Sequence, residues 1–330
     1  MILNMRQEMK KLILISCLLL VAAQIVHAQL SDFPKLTGPY LGQKPPGKTP
    51  EPFAQDIFDF RYAYYHTSIN FSPDGQEVYW SQDNTYRRAN PNDPIIKGIC
   101  VSKIENGHWT TPKFASFSGL NISDDAPIIS PDGKNLYFVT TRPIEKRGKS
   151  GGETIWVVDR IPDGWSEPKP LPPAINSIEG IHWGISVDNR GNLYFGATAG
   201  IYCSKYENGE YQRAEKLDLP INKPNSGNFC PFISPDGSYL IFTRWENKTR
   251  RLFISFRNKD GSWSSPKAIN SVIEMNEGHG QISPYVSPDG KYLFFLDEVG
   301  DGVNTRLDSR HYWVDASFIE KMRKKELLEE

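Results

Sequence analysis

Four copies of Ser-Pro-Asp-Gly punctuate this chain, and that repeat constrains its fold more than any other feature. They are Ser72-Pro73-Asp74-Gly75, Ser130-Pro131-Asp132-Gly133, Ser234-Pro235-Asp236-Gly237 and Ser287-Pro288-Asp289-Gly290, with an altered copy, Asp188-Asn189-Arg190-Gly191, in the middle place. Intervals of roughly 46 to 58 residues are the period of solenoids and propellers. Proline presets φ at the second position of a turn, and glycine accepts the positive φ that closes it. Each copy therefore predicts a hairpin turn between two strands.

A second turn signal alternates with the first. Asn106-Gly107, Asp163-Gly164, Asn208-Gly209 and Asp260-Gly261 are dipeptides of tight primed turns, and each precedes an aromatic: Trp109, Trp165, Tyr211 and Trp263. Three of the four then carry Pro-Lys (Pro112-Lys113, Pro168-Lys169, Pro266-Lys267), while the third unit has Ala214-Glu215. Proline lacks an amide donor, which assigns this segment to an outer strand. Between the turns run apolar stretches such as Leu136-Tyr137-Phe138 and Leu240-Ile241-Phe242, as expected of strands covered on both faces. Units of four antiparallel strands stacked radially make a β-propeller.

The count gives an all-β chain folded as a five-bladed β-propeller. The fifth unit lacks an outer strand, and Thr49-Pro50-Glu51-Pro52-Phe53 has the shape of Glu167-Pro168-Lys169-Pro170-Leu171, so the N-terminal segment is expected to close the ring against Tyr312-Trp313-Val314. A six-bladed alternative would need strands from residues 31–48, which are rich in proline and glycine.

The Ser-Pro-Asp-Gly turns and Leu-Tyr-Phe strands resemble the TolB-type, WD-like β-propeller repeat family of exported bacterial proteins. The resemblance spans roughly residues 49–316. It implies fold and is nearly silent on function, because such scaffolds include binding modules, docking modules and enzymes.

Lys10 and Lys11 precede an apolar run from Leu12 to Val26, and Val26-His27-Ala28 offers a cleavage site before Gln29. The expected organisation is a signal peptide at 1–28, a linker at 29–48, the propeller at 49–316 and a helical tail at 317–330. Export to the periplasm or the exterior follows, with lipidation at Cys17 as the alternative. No later stretch has the ~20 apolar residues of a transmembrane span. The 38 basic and 39 acidic residues give a net charge of −1, without the basic excess of a nucleic-acid binder. After the leader three cysteines remain, Cys100, Cys203 and Cys230, an odd number that argues for core packing rather than a disulfide framework. In the tail, Asp315 is a cap candidate and Phe318, Ile319 and Met322 have helical spacing, which predicts a short helix against the last blade.

Chemistry on a propeller collects where the innermost strands begin and the long loops gather, here called the loop face; the short turns occupy the opposite, turn face. Six residues before each turn stand His66, Asp124, His182, Asn228 and Gln281, a ring of five polar groups around the axis. Three readings are open: the ring contacts a ligand, it coordinates a cation through its His and Asp members, or it hydrogen-bonds the blades. Glu179, and Glu277 with His279, bring further carboxylates and imidazole toward the axis. Arg87, Arg88, Arg142, Lys146, Arg147, Lys149 and Arg244 form a basic set suited to carboxylates or sulfates, and Trp183 and Trp245 suit stacking. No nucleophile motif, metal-ligand pair or phosphate loop occurs, so no metal or cofactor is expected. The leading expectation is a non-catalytic exported propeller binding a glycan, peptide or protein. The alternatives are a glycoside hydrolase or polysaccharide lyase using Asp124, Glu179, His182 and Glu277, and a docking subunit of an envelope complex.

Overall fold

A computed structural model describes residues 33–58, 65–84, 97–119, 122–144, 152–246, 249–275, 279–299 and 308–329, with only the backbone at 182, 183 and 327–329. The described residues form five antiparallel blades and a C-terminal helix. The inner three strands of each blade are Asn70–Phe71, Glu77–Asp83 and Lys97–Glu105; Asp124–Ile129, Asn135–Thr140 and Thr154–Ile161; Ile181–Val187, Leu193–Ala197 and Gly200–Ser204; Asn228–Ile233, Tyr239–Glu246 and Thr249–Phe256; and Gly280–Val286, Tyr292–Val299 and Asp308–Asp315. Short outer strands follow at Lys113–Phe114, Lys169–Pro170, Glu215–Lys216 and Lys267–Ala268. The fifth outer strand is Glu51–Pro52, with Glu51 opposite Trp313 and Pro52 opposite Tyr312. The ring closes between the two ends of the chain, as the missing strand predicted.

The turns explain their own sequence. In each Ser-Pro-Asp-Gly copy the serine hydroxyl donates to the aspartate (2.6–2.7 Å) and accepts the amide five residues on, as from Glu77 to Ser72 (2.9 Å). The glycines are left-handed, with φ of 74° at Gly133 and 72° at Gly290. In the altered copy, Asp188 alone accepts the amides of Arg190 and Asn192, both at 2.9 Å, replacing serine and aspartate together.

The innermost strands of blades two to five carry a β-bulge, a feature absent from the sequence expectations. Within each interrupted stretch one residue is left-handed: Ala126, Gly184, Cys230 and Ser283. At Gly184 an added Cβ would approach the Cys230 Cα at 2.9 Å, so blades three and four meet there too closely for a side chain. These residues and Ser68 line an axial cavity of only about 40 Å3, so the axis is filled below the loop face.

Residues 33–48, read as a linker, are packed on the first and last blades. Trp109 donates its backbone amide to Leu36 O and its indole N–H to Gly38 O (2.9 and 2.8 Å), Asp315 N donates to Gly47 O, and Leu41 is fully buried. The Tyr40 ring packs edge-on against Phe71 and Tyr292. The helix Phe318–Glu329 buries Phe318, Ile319 and Met322. Two of its charged side chains engage the fourth blade: Glu326 pairs with Lys267 (2.6 Å), and Arg323 donates to Ser238 Oγ and lies over Tyr239 and Phe256. Cys100, Cys203 and Cys230 are free, and burial holds all three thiols above their ordinary range. No helix among the described residues is long and apolar enough to cross a membrane.

Candidate functional site

The bulge decides which side chains the polar ring meets. In blade four Ile233 lies opposite Leu240, and that register, continued unbroken, would set Trp245 opposite Asn228. The extra residue shifts it by one, and Arg244 stands opposite Asn228 instead. In blade five the same shift sets Asp297, not Glu298, opposite Gln281.

Through this shift Asp124, Asn228 and Gln281 meet the second strand of their own blade, and His66 meets the second strand of the first blade. Asp124 is fully buried, accepts from Thr140 Oγ1 (2.7 Å) and Ser118 Oγ (2.9 Å), and forms a two-pronged ion pair with Arg142 (2.5 and 3.0 Å). Burial raises the Asp124 carboxyl above its ordinary range, and these donors pull it back. Arg142 also donates to Phe117 O, in the loop joining blades one and two. Asn228 accepts from Arg244 Nε (2.8 Å), whose Nη2 reaches the carbonyls of Pro220 and Ile221 in the loop joining blades three and four. Gln281 donates to Asp297 and to His279 O, and His279 Nδ1 lies 2.7 Å from Asp297. His66 Nε2 lies 3.4 Å from Asp83, which Lys97 also approaches at 3.3 Å. Burial disfavours the His66 charge, but Asp83 and the nearby Asp125 outweigh it and raise its pKa. Glu179 is exposed. The side chains of His182 and Trp183, and residues Glu277, Arg87, Arg88, Lys146, Arg147 and Lys149, lie outside the described residues.

On the opposite side of the same strands the site is open. Trp245, His66, Phe229, Arg250 and Glu298 line a cavity of about 530 Å3 at the axial mouth. Trp245 is 48% exposed, and the Arg250 guanidinium, its cross-strand neighbour, sits 5.5 Å from its ring. Arg250 is held in turn by Glu298, whose side chain is fully buried, at 2.9 Å. Beside His66, Asp125 accepts the Thr67 hydroxyl (3.4 Å). Glu153 stands close enough to feel the Asp125 charge; burial, then that charge, lifts its carboxyl above the ordinary range, against Lys97 and His66. Arg250, Glu298, Asp83, Lys97 and Glu153 were not singled out in the sequence; the first four lie on second and third strands, and Glu153 stands just before a third strand. The described residues contain no metal-ligating cluster of three or more His, Cys, Asp or Glu.

No known sequence family matches the chain, and no curated protein is similar to it by sequence. Among solved structures it is similar to a TolB candidate from Agrobacterium tumefaciens (18% identity, 77% of each chain, TM-score 0.48). TolB from Acinetobacter baumannii shares 17% identity over 76% of this chain and 56% of its own (TM-score 0.43). A GH43 endo-arabinanase from Bacillus licheniformis shares 16% over 77% and 94% (TM-score 0.49). What the chain has in common with these distant structures is the β-propeller.

Proposed function

We propose that this chain is an exported, non-catalytic β-propeller that binds a glycan at the loop-face mouth. The observation that carries the reading is Trp245, a half-exposed indole fixed beside Arg250 and buried Glu298 on the wall of the mouth cavity. An indole presents a flat apolar face for the C–H face of a sugar ring, while Arg250, His66 and the neighbouring carboxylates offer donors and acceptors for hydroxyls. Export rests on the Lys10-Lys11 and Leu12-to-Val26 pattern. Screening the purified chain against polysaccharides and oligosaccharides should give binding that Trp245→Ala removes. Binding restricted to peptides, or unaffected by that substitution, defeats the glycan reading.

A second reading, a glycoside hydrolase or lyase, is favoured by one observation: Glu153 holds its proton above the ordinary range beside Asp125, as a general acid paired with a carboxylate would. Release of shortened sugars in the same screen, lost in Glu153→Gln, would establish it.

A further inference from the structure

The third blade differs from its neighbours, blades two and four, on the turn face, and the differences meet at one corner. Cross-strand register sets Val158, Ser204 and Ser255 in one structural position, opposite Leu136, Leu193 and Leu240. Two residues further on stand Arg160 in blade two, Tyr206 in blade three and Arg257 in blade four, while the same register gives Ile104 in blade one and Ala316 in blade five. The two arginines fill their corners alike. Arg160 lies 3.8 Å from the Trp165 ring centre and donates to Glu77 of the preceding blade (3.2 and 2.6 Å). Arg257 lies 4.2 Å from Trp263 and donates to Tyr194 of the preceding blade (2.9 Å) and to Gly237 O (3.0 Å). In blade three no guanidinium is supplied from this position. Tyr206 stands there, 42% exposed, 4.9 Å from Tyr211, which replaces the tryptophan and shares a 2.9 Å hydroxyl contact with Tyr137 of blade two.

The space left is larger: about 690 Å3 between blades two and three, against about 390 Å3 between blades one and two. Its wall carries Asp132, Asp159, Asp188 and Glu210 against Lys169 and Arg190, and Lys169 is already paired with Asp159 at 2.5 Å. We propose that this corner binds the guanidinium of an arginine side chain presented by a peptide or protein partner, in the place that the chain's own arginines occupy in blades two and four. Tyrosine faces attract a planar cation, and an acidic wall excludes anionic ligands and favours a cation over a neutral sugar.

The test titrates the full chain with acetyl-Gly-Arg-Gly-amide and its citrulline counterpart, following the titration by NMR. Saturable binding of the arginine peptide is expected, at least about tenfold tighter than citrulline. Tyr206→Arg supplies the guanidinium from within, and should abolish binding while raising the melting temperature. Should that variant fold poorly, Asp159→Asn serves instead and should weaken binding. Equal affinity for citrulline, no saturation at millimolar peptide, or undiminished binding in a folded Tyr206→Arg or Asp159→Asn chain would overturn the proposal. So would loss of binding in Trp245→Ala, which would assign the arginine to the loop-face mouth.

Discussion

Two sets of polar groups share the loop face and differ in where their charge is answered. Asp124 with Arg142, and Asn228 with Arg244, are answered inside the blade and by the loops between blades, so they brace the ring. Trp245, Arg250 and His66 line the mouth cavity, with buried Glu298 behind Arg250 and buried Asp83 behind His66. The difference lies in facing rather than in residue type: neighbours such as Arg244 and Trp245 fall on opposite sides of one strand. A functional residue here is one whose partner lies behind it, leaving its front open.

The largest expected effect breaks the sealed set. Asp124→Ala leaves Arg142 charged and 11% exposed without its carboxylate, and should cost about 3–5 kcal/mol in chemical denaturation, with ligand binding per folded molecule unchanged. Lost binding at preserved stability would move Asp124 into the open set. Next, Arg244→Met removes donors from Asn228 and from the Ile221 carbonyl, and should cost about 1–3 kcal/mol by the same measurement. A neutral result would mean that the interblade loop is braced elsewhere.

Histidines sharpen the comparison through pH. His311 is 2% exposed between Phe58 and Tyr65, neither ring nitrogen has a hydrogen-bond partner among the described residues, and burial pushes its pKa down to about 3. The unfolded chain then binds a proton that the folded chain refuses, so stability falls as pH drops from the ordinary histidine range toward 3, by about 1.4 kcal/mol per pH unit. His311→Phe should flatten that slope in denaturation series at several pH values. His66, with its pKa raised, has the opposite sign: its contribution is complete below the ordinary range and is lost as pH rises through the folded value. The smallest stability effect belongs to Trp245→Ala, under about 0.5 kcal/mol, beside a loss of glycan binding. A large melting shift there would make Trp245 a packing residue.

Turn chemistry made the fold legible. Ser-Pro-Asp-Gly fixes four hairpins and its altered copy a fifth, and the missing outer strand of the last unit pointed to Glu51–Pro52. The site was legible only as a face. Assigning Arg142 and Arg244 to a ligand-facing basic set assumed that residues at strand ends point outward, whereas both fold back onto Asp124 and Asn228. Nothing in Ala126, Cys230 or Ser283 announces a left-handed residue, since only Gly184 among the four has the residue type that favours one. Without the bulges of blades two, four and five the partners of Asp124, Asn228 and Gln281 are misplaced by one position, which in a strand means the opposite side.

The pairing of Glu51–Pro52 with Trp313 and Tyr312 also sets an order of events. Each blade's inner strands are neighbours in sequence and their hairpins close at little entropic cost, but the closing strand joins positions separated by nearly the whole folded chain. During synthesis the segment that completes the last blade emerges first and has no partner until that blade has been made. Ring closure is therefore the slow, non-local step of folding, and until it occurs the strand Asp308–Asp315 presents an unpaired edge open to another chain.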